Sequence, residues 1–165
     1  MKISWISALV VLPAARGNDE ICEKTGSGIV VLEGGESIKR SDGAGICTEN
    51  WIFWISSGKG KLQLKYNDGA EWRVVWKAKD SMNNVLEGIK ECRMQQGGAF
   101  VCFGDSGNRL WSLNCGGLDD ASLYLYDSDT HGSDDILVFE NDPRYFTVTE
   151  DGEEYGDCVP KTDFD

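Results

Sequence analysis

Four aspartates, Asp127, Asp129, Asp134 and Asp135, fall within nine residues of one another around a single glycine, Gly132. Asp127 and Asp129 are two apart, so at a strand end they project to the same side. Gly132 permits a tight return that brings Asp134 and Asp135 back toward the first pair. Carboxylates packed so closely repel one another, and a hard divalent cation with oxygen ligands is the natural compensation. Calcium suits a flexible loop of this kind; magnesium demands a tighter octahedral shell. The spacing therefore predicts that Asp127, Asp129 and Asp135 converge on Ca2+, with Asp134 nearer to solvent. The plainer alternative is a solvated turn in an acidic protein, since aspartate favours turns in any case. An EF-hand is excluded, because the fifth position is His131 and the twelfth is Val138 where a closing glutamate is required.

A second run carries a different chemistry. Cys102-Phe-Gly-Asp-Ser-Gly-Asn-Arg-Leu110 resembles the nucleophile segment of trypsin-like serine proteases. That mechanism needs a histidine base beside the serine and an acid to orient it. The chain has one histidine, His131, which follows Ser106 instead of preceding it, and is too short for two barrels. A polar hairpin turn accounts for the same residues, and no catalytic residue is assigned. Carboxylate pairs of the glycosidase kind are possible in so acidic a chain, but no acid and base stand out.

The elements that must position these residues read as short strands between glycine turns. Candidate strands lie at 28–32, 51–55, 61–66, 72–77, 91–94, 99–103, 109–113, 121–126, 136–140 and 145–149. Trp51 to Ile55 is continuously apolar, as in a strand buried on both faces, and the alternation in Leu62-Gln-Leu-Lys-Tyr66 fits one face only. Trp72 and Trp76 are four apart, so a regular strand would place them on one face, either in the core or as a platform for sugar stacking. After Asp80-Ser81, the apolar positions Met82, Val85, Leu86 and Ile89 share a helical face, which reads either as one short helix near 81–90 or, because Gly88 weakens it, as a loop. About nine strands without a linker or repeat predict one all-β domain, an antiparallel β-sandwich spanning 18–165 with an acidic C-terminal tail.

Residues 1–17 have the pattern of a signal peptide: Lys2, an apolar run from Ile3 to Leu12, then small residues after Pro13. Its loss would take the net charge from −12 to −14, since it carries Lys2 and Arg16 and no acid. The six cysteines, Cys22, Cys47, Cys92, Cys102, Cys115 and Cys158, agree with export and read as three disulfides. One pairing follows locally. A three-residue loop at Gln96-Gly97-Gly98 pairs position 95 with 99, and therefore Cys92 with Cys102 directly across a hairpin. No later stretch is apolar and long enough for a transmembrane helix.

The segment from Leu123 to Leu137 resembles the third calcium loop of the calcium-dependent phospholipid-binding domains first named for protein kinase C and present in perforin. That family carries a hydrophobic strand, Asp-x-Asp, five residues, Asp and two apolar residues. Asp127, Asp129, Asp135, Ile136 and Leu137 occupy those places, and Asn108-Arg-Leu-Trp111 is similar to the family's Asn-Pro-x-Trp strand start. The resemblance covers residues 105–140 and implies an eight-stranded sandwich that meets a phospholipid surface through calcium. Cys22 to Cys47 followed by Trp51-Ile-Phe-Trp-Ile is similar to the start of a CUB domain, an extracellular interaction module.

Charge narrows the classes. With 28 acidic against 16 basic side chains and no basic stripe, a nucleic acid is excluded as a partner. The leading expectation is a secreted, calcium-dependent binding module for a membrane surface or an anionic ligand, the calcium bridging between like charges. The alternatives are an extracellular CUB-like or lectin-like domain for a glycan or a protein, and a small secreted effector or inhibitor without metal.

Overall fold

The computed structural model describes residues 21–40, 44–113, 121–132, 134–162 and 164. The expected signal peptide, Cys115 and the glycine turn that follows it lie outside the described residues.

The chain is all-β, in three sheets that share one core. The first sheet runs in the order β1 (Ile21–Thr25), β4 (Ala44–Cys47), β5 (Trp51–Ile55), β6 (Leu62–Asn67) and β7 (Trp72–Lys77). The second is β10 (Arg109–Leu113), β9 (Phe100–Gly104), β8 (Ile89–Met94) and β3 (Ser37–Lys39). The third is β14 (Glu154–Gly156), β13 (Arg144–Thr149), β12 (Asp135–Asn141), β11 (Ser122–Tyr126) and β2 (Ile29–Leu32). Pairing is antiparallel except between β1 and β4, which run parallel. The sandwich-like antiparallel architecture expected from the alternation is therefore present. The expected count of about nine falls short of the fourteen strands described, because β1, β3, β4 and β14 lack a clear apolar alternation.

The helix expected near 81–90 is absent, and Asp80 explains why. Its Oδ1 accepts the backbone N–H of Met82 at 2.9 Å and of Asn84 at 2.7 Å, and its Oδ2 accepts the Asn84 side-chain amide at 3.1 Å. The Asn84 N–H, which a helix would direct to the Asp80 carbonyl, is taken by the carboxylate instead, and Asn83 takes a left-handed φ of 65°. The chain turns, and Val85 bridges back to Lys79.

Alternation places Trp51, Phe53, Ile55, Leu62 and Leu64 in the common core, with Leu123, Leu125, Phe139, Phe146 and Val148 from the third sheet. β5 is buried on both faces, as its apolar run requires. Its other side, Ile52 and Trp54, forms a small outer cluster with Cys22, Cys47 and Trp72. Gly45 makes this possible: a Cβ there would stand 2.6 Å from the Trp54 Cβ.

Trp72 and Trp76 do not share a face. Leu64 pairs with Trp76 but Lys65 pairs with Val74, so β7 carries an extra residue at Val75. Such a bulge reverses the parity of everything beyond it. Trp72 stays in the outer cluster, while Trp76 turns inward to lie 6.4 Å from Phe53, 6.2 Å from Trp111 and 6.5 Å from Phe146. These three rings come from the three different sheets, so Trp76 sits where all of them meet.

Two disulfides are described in full. Cys22 joins Cys47, and Cys92 joins Cys102 across the expected hairpin register with the Cα atoms 4.0 Å apart. The loop closes as anticipated, with the Gln95 N–H donating to the Ala99 carbonyl at 2.8 Å. Cys158 is buried and also disulfide-bonded. No free thiol occurs among the described residues.

Candidate functional site

The aspartate loop joins β11 to β12 through a single helical turn, α1 (Ser128–His131), closed by Gly132 at φ 66°. Asp127 is its N-cap and is 1% exposed, an unusual burial for a carboxylate. The burial is compensated by hydrogen bonds. Its Oδ2 accepts the Asn50 backbone N–H at 3.0 Å, and its Oδ1 accepts the Asn50 side-chain amide at 3.2 Å and the Asp129 N–H at 3.2 Å. Its own N–H donates to the Gly28 carbonyl at 2.8 Å. Asp127 thus ties the turn before β5 to the start of β2 and the end of β11.

The remaining aspartates divide. Asp129 accepts from the same Asn50 amide at 3.3 Å, so it stays beside Asp127. Asp135 accepts from the Thr147 hydroxyl of β13 at 3.1 Å, and Asp134 is exposed. Among the described residues, no group of three or more His, Cys, Asp or Glu side chains is placed to hold a metal ion. Asp127 and Asp129 share a partner that the sequence reading missed, Asn50, which lies 77 residues away from Asp127.

Ser106 lies in the exposed turn between β9 and β10, closed by the Gly104 N–H donating to the Asn108 carbonyl at 2.9 Å. Its hydroxyl meets the Asn108 side-chain oxygen at 2.5 Å. Ser106→Ala is therefore expected to leave the melting temperature within about one degree, because exposed turn positions tolerate change. A serine-directed phosphonate should leave the native protein unlabelled; stoichiometric labelling at Ser106 would restore a nucleophile there.

The most distinctive surface lies on the third sheet. Leu123 and Leu125 face the core, so Tyr124 and Tyr126 face outward, their rings stacked 5.9 Å apart at 16°. The ladder then sets one row across all five strands: Val31, Tyr124, Val138, Thr147 and Tyr155. A second row holds Ser122, Glu140 and Tyr145, and Ile29 pairs with Tyr126. Four of the five tyrosines in the chain thus share one outward face. Ile29, Tyr145 and Tyr155 are 44%, 48% and 57% exposed.

This face is acidic where it is charged. Glu140 and Asp135 are its carboxylates, and its row positions include no lysine or arginine. Burial, and then the negative charge of Glu140 and the neighbouring Tyr124, hold the Tyr126 phenol above its ordinary range. Like any phenol at neutral pH, its hydroxyl both donates and accepts. Alternation along β11 sets Tyr124 and Tyr126 opposite the leucines, and the strand register brings Tyr145 and Tyr155 to the same side.

No protein-family model matches the chain, and no curated protein matches it significantly. A solved structure, the Japanese Marasmius oreades lectin, is similar over 79% of this chain and 90% of its own, at 18% identity and a TM-score of 0.44. That degree of similarity says nothing about the ligand of this chain. No helix among the described residues is long and apolar enough to cross a membrane.

Proposed function

We propose that this protein is an extracellular binding module that recognises a neutral glycan on the outward tyrosine face of its third sheet. The observation that carries this reading is the alignment of Tyr124, Tyr126, Tyr145 and Tyr155 on one outward, carboxylate-bearing face, where Tyr145 and Tyr155 are exposed and Tyr124 and Tyr126 half-buried. A phenol offers an apolar ring to the C–H face of a sugar and a hydroxyl to its oxygens, at low cost in side-chain entropy. Carboxylates such as Glu140 accept hydrogen bonds from sugar hydroxyls. The same carboxylates, in a chain of net charge −12, disfavour anionic ligands and anionic lipid. Paired cysteines and the signal-peptide pattern support an extracellular setting.

The calcium-bridged membrane reading is less favoured by this geometry. The oxygens of Asp127 accept from Asn50 and Asp129, and Asp135 is turned toward Thr147. The test is a neutral glycan array followed by calorimetry, run once in chelator and once in millimolar calcium. Binding is expected in both buffers, weakened at least tenfold by Tyr124→Ala or Tyr155→Ala with the melting temperature held. Binding that vanishes in chelator would favour the calcium reading. Failure of every neutral glycan at millimolar concentration would remove the proposal.

A further inference from the structure

The edge strand β14 has two sides, and the tyrosine face uses one of them. Tyr155 is in register with Thr147 on the outward side, whereas its neighbour Glu154 alternates inward and accepts the Trp76 indole N–H at 2.5 Å. On that inner side lies a cleft of about 530 Å³, bordered by the 79–83 turn, Trp111, β14 and the segment around Pro160. Its volume falls within the range of small-molecule sites.

The wall of the cleft carries both donors and acceptors, with acceptors in excess. Lys79 donates, Asp80, Glu153 and Glu154 accept, and Ser81, Asn83 and Thr162 do both. Lys79, Asn83 and Glu153 are exposed, so a ligand that covers them must replace their hydrogen bonds to water with bonds of both kinds. A run of hydroxyls, each a donor and an acceptor, meets such a wall. The strand between cleft and tyrosine face is held in place at both ends. Gly152 and Gly156 have φ of 83° and 118°, and a Cβ on them would stand 2.4 Å from the Val75 carbonyl oxygen or 2.2 Å from that of Tyr145. Glu154 and Tyr155 are therefore presented at a fixed separation on opposite sides of a three-residue ledge.

We propose that the cleft is a second subsite for the same ligand, which crosses β14 with one sugar unit against Tyr155 and a following unit in the cleft. The inference rests on the glycan reading above and deepens it: the ligand is an oligosaccharide rather than a single sugar. Linking two subsites through a short covalent span raises affinity without any new kind of contact.

The experiment titrates the full protein with neutral gluco-, manno- and N-acetylglucosamine oligosaccharides of one to four units. Calorimetry gives the affinity, and tryptophan emission reports on occupancy beside Trp76 and Trp111. In at least one series, affinity is expected to rise at least tenfold between one unit and three. Lys79→Ala combined with Glu153→Ala, both exposed positions, should flatten that rise while leaving single-sugar affinity and the melting temperature unchanged. Tyr155→Ala should weaken every length. If affinity is independent of length, or the double variant keeps the full rise, the cleft is no subsite and the glycan reading stands alone. Absence of binding at every length would overturn that reading and this inference with it.

Discussion

Replacing Trp76 by alanine is expected to destabilise the protein by about 3–5 kcal/mol, the range for removing a buried aromatic side chain. The indole is 5% exposed and contacts Phe53, Trp111 and Phe146, so its loss opens a cavity where three sheets converge. Collapse cannot fill that cavity readily, because each neighbouring ring is anchored on a different sheet. The loss also leaves Glu154 without its indole donor, which loosens β14 beside the cleft. Urea denaturation gives the measurement: the midpoint should fall with the slope unchanged, since the surface exposed on unfolding is nearly the same. Trp76→Phe separates the two roles. It keeps most of the packing, so the stability loss should be smaller, but it still deletes the bond to Glu154. An alanine variant that loses less than about 1 kcal/mol would mean that the site closes without Trp76, and the three-sheet core would have to be redrawn.

The position of Trp76 also marks how far the sequence alone could be read. Strands with regular alternation or a continuous apolar run, such as β11 and β5, were legible because side-chain period and burial agree there. The hairpin at Cys92 and Cys102 was legible because loop length fixes register. The bulge at Val75 was not, since one extra residue in Trp72-Arg-Val-Val-Trp-Lys77 leaves no mark on composition yet turns Trp76 over. The turn at 80–84 misled for a related reason: apolar spacing favoured a helix, while the Asp80 carboxylate captured the backbone donors locally. The tyrosine face was not read from the sequence, although the alternation of Leu123 to Tyr126 carries half of it. The other half depends on pairings of β13 and β14, and Tyr155 lies in an acidic stretch that has the composition of a tail.

Asp127→Ala is expected to cost about 2–4 kcal/mol, the sum of a lost helix cap and of buried donors left without an acceptor. The carboxylate, 1% exposed, receives the Asn50 N–H, the Asn50 amide and the Asp129 N–H, and none of these donors finds a replacement in a methyl group. Asp127→Asn should fall between the wild type and the alanine variant: one oxygen still accepts, but the new amide confronts the Asn50 donors. Asn50→Ala removes the opposite partner of the same bonds. Combining it with Asp127→Ala should therefore cost less than the two separate losses added together, the mark of a direct interaction in a double-mutant cycle. Denaturant midpoints for the four proteins, taken in chelator, supply the cycle. The same set in millimolar calcium decides what the aspartates are for. A structural carboxylate gives the same loss in both buffers, and the wild type melts at one temperature in each. If instead calcium raises the wild-type melting temperature and Asp127→Ala is harmless in chelator, the pair Asp127 and Asp129 serves a cation. Stabilisation by mass action would then appear only where the folded site binds the ion.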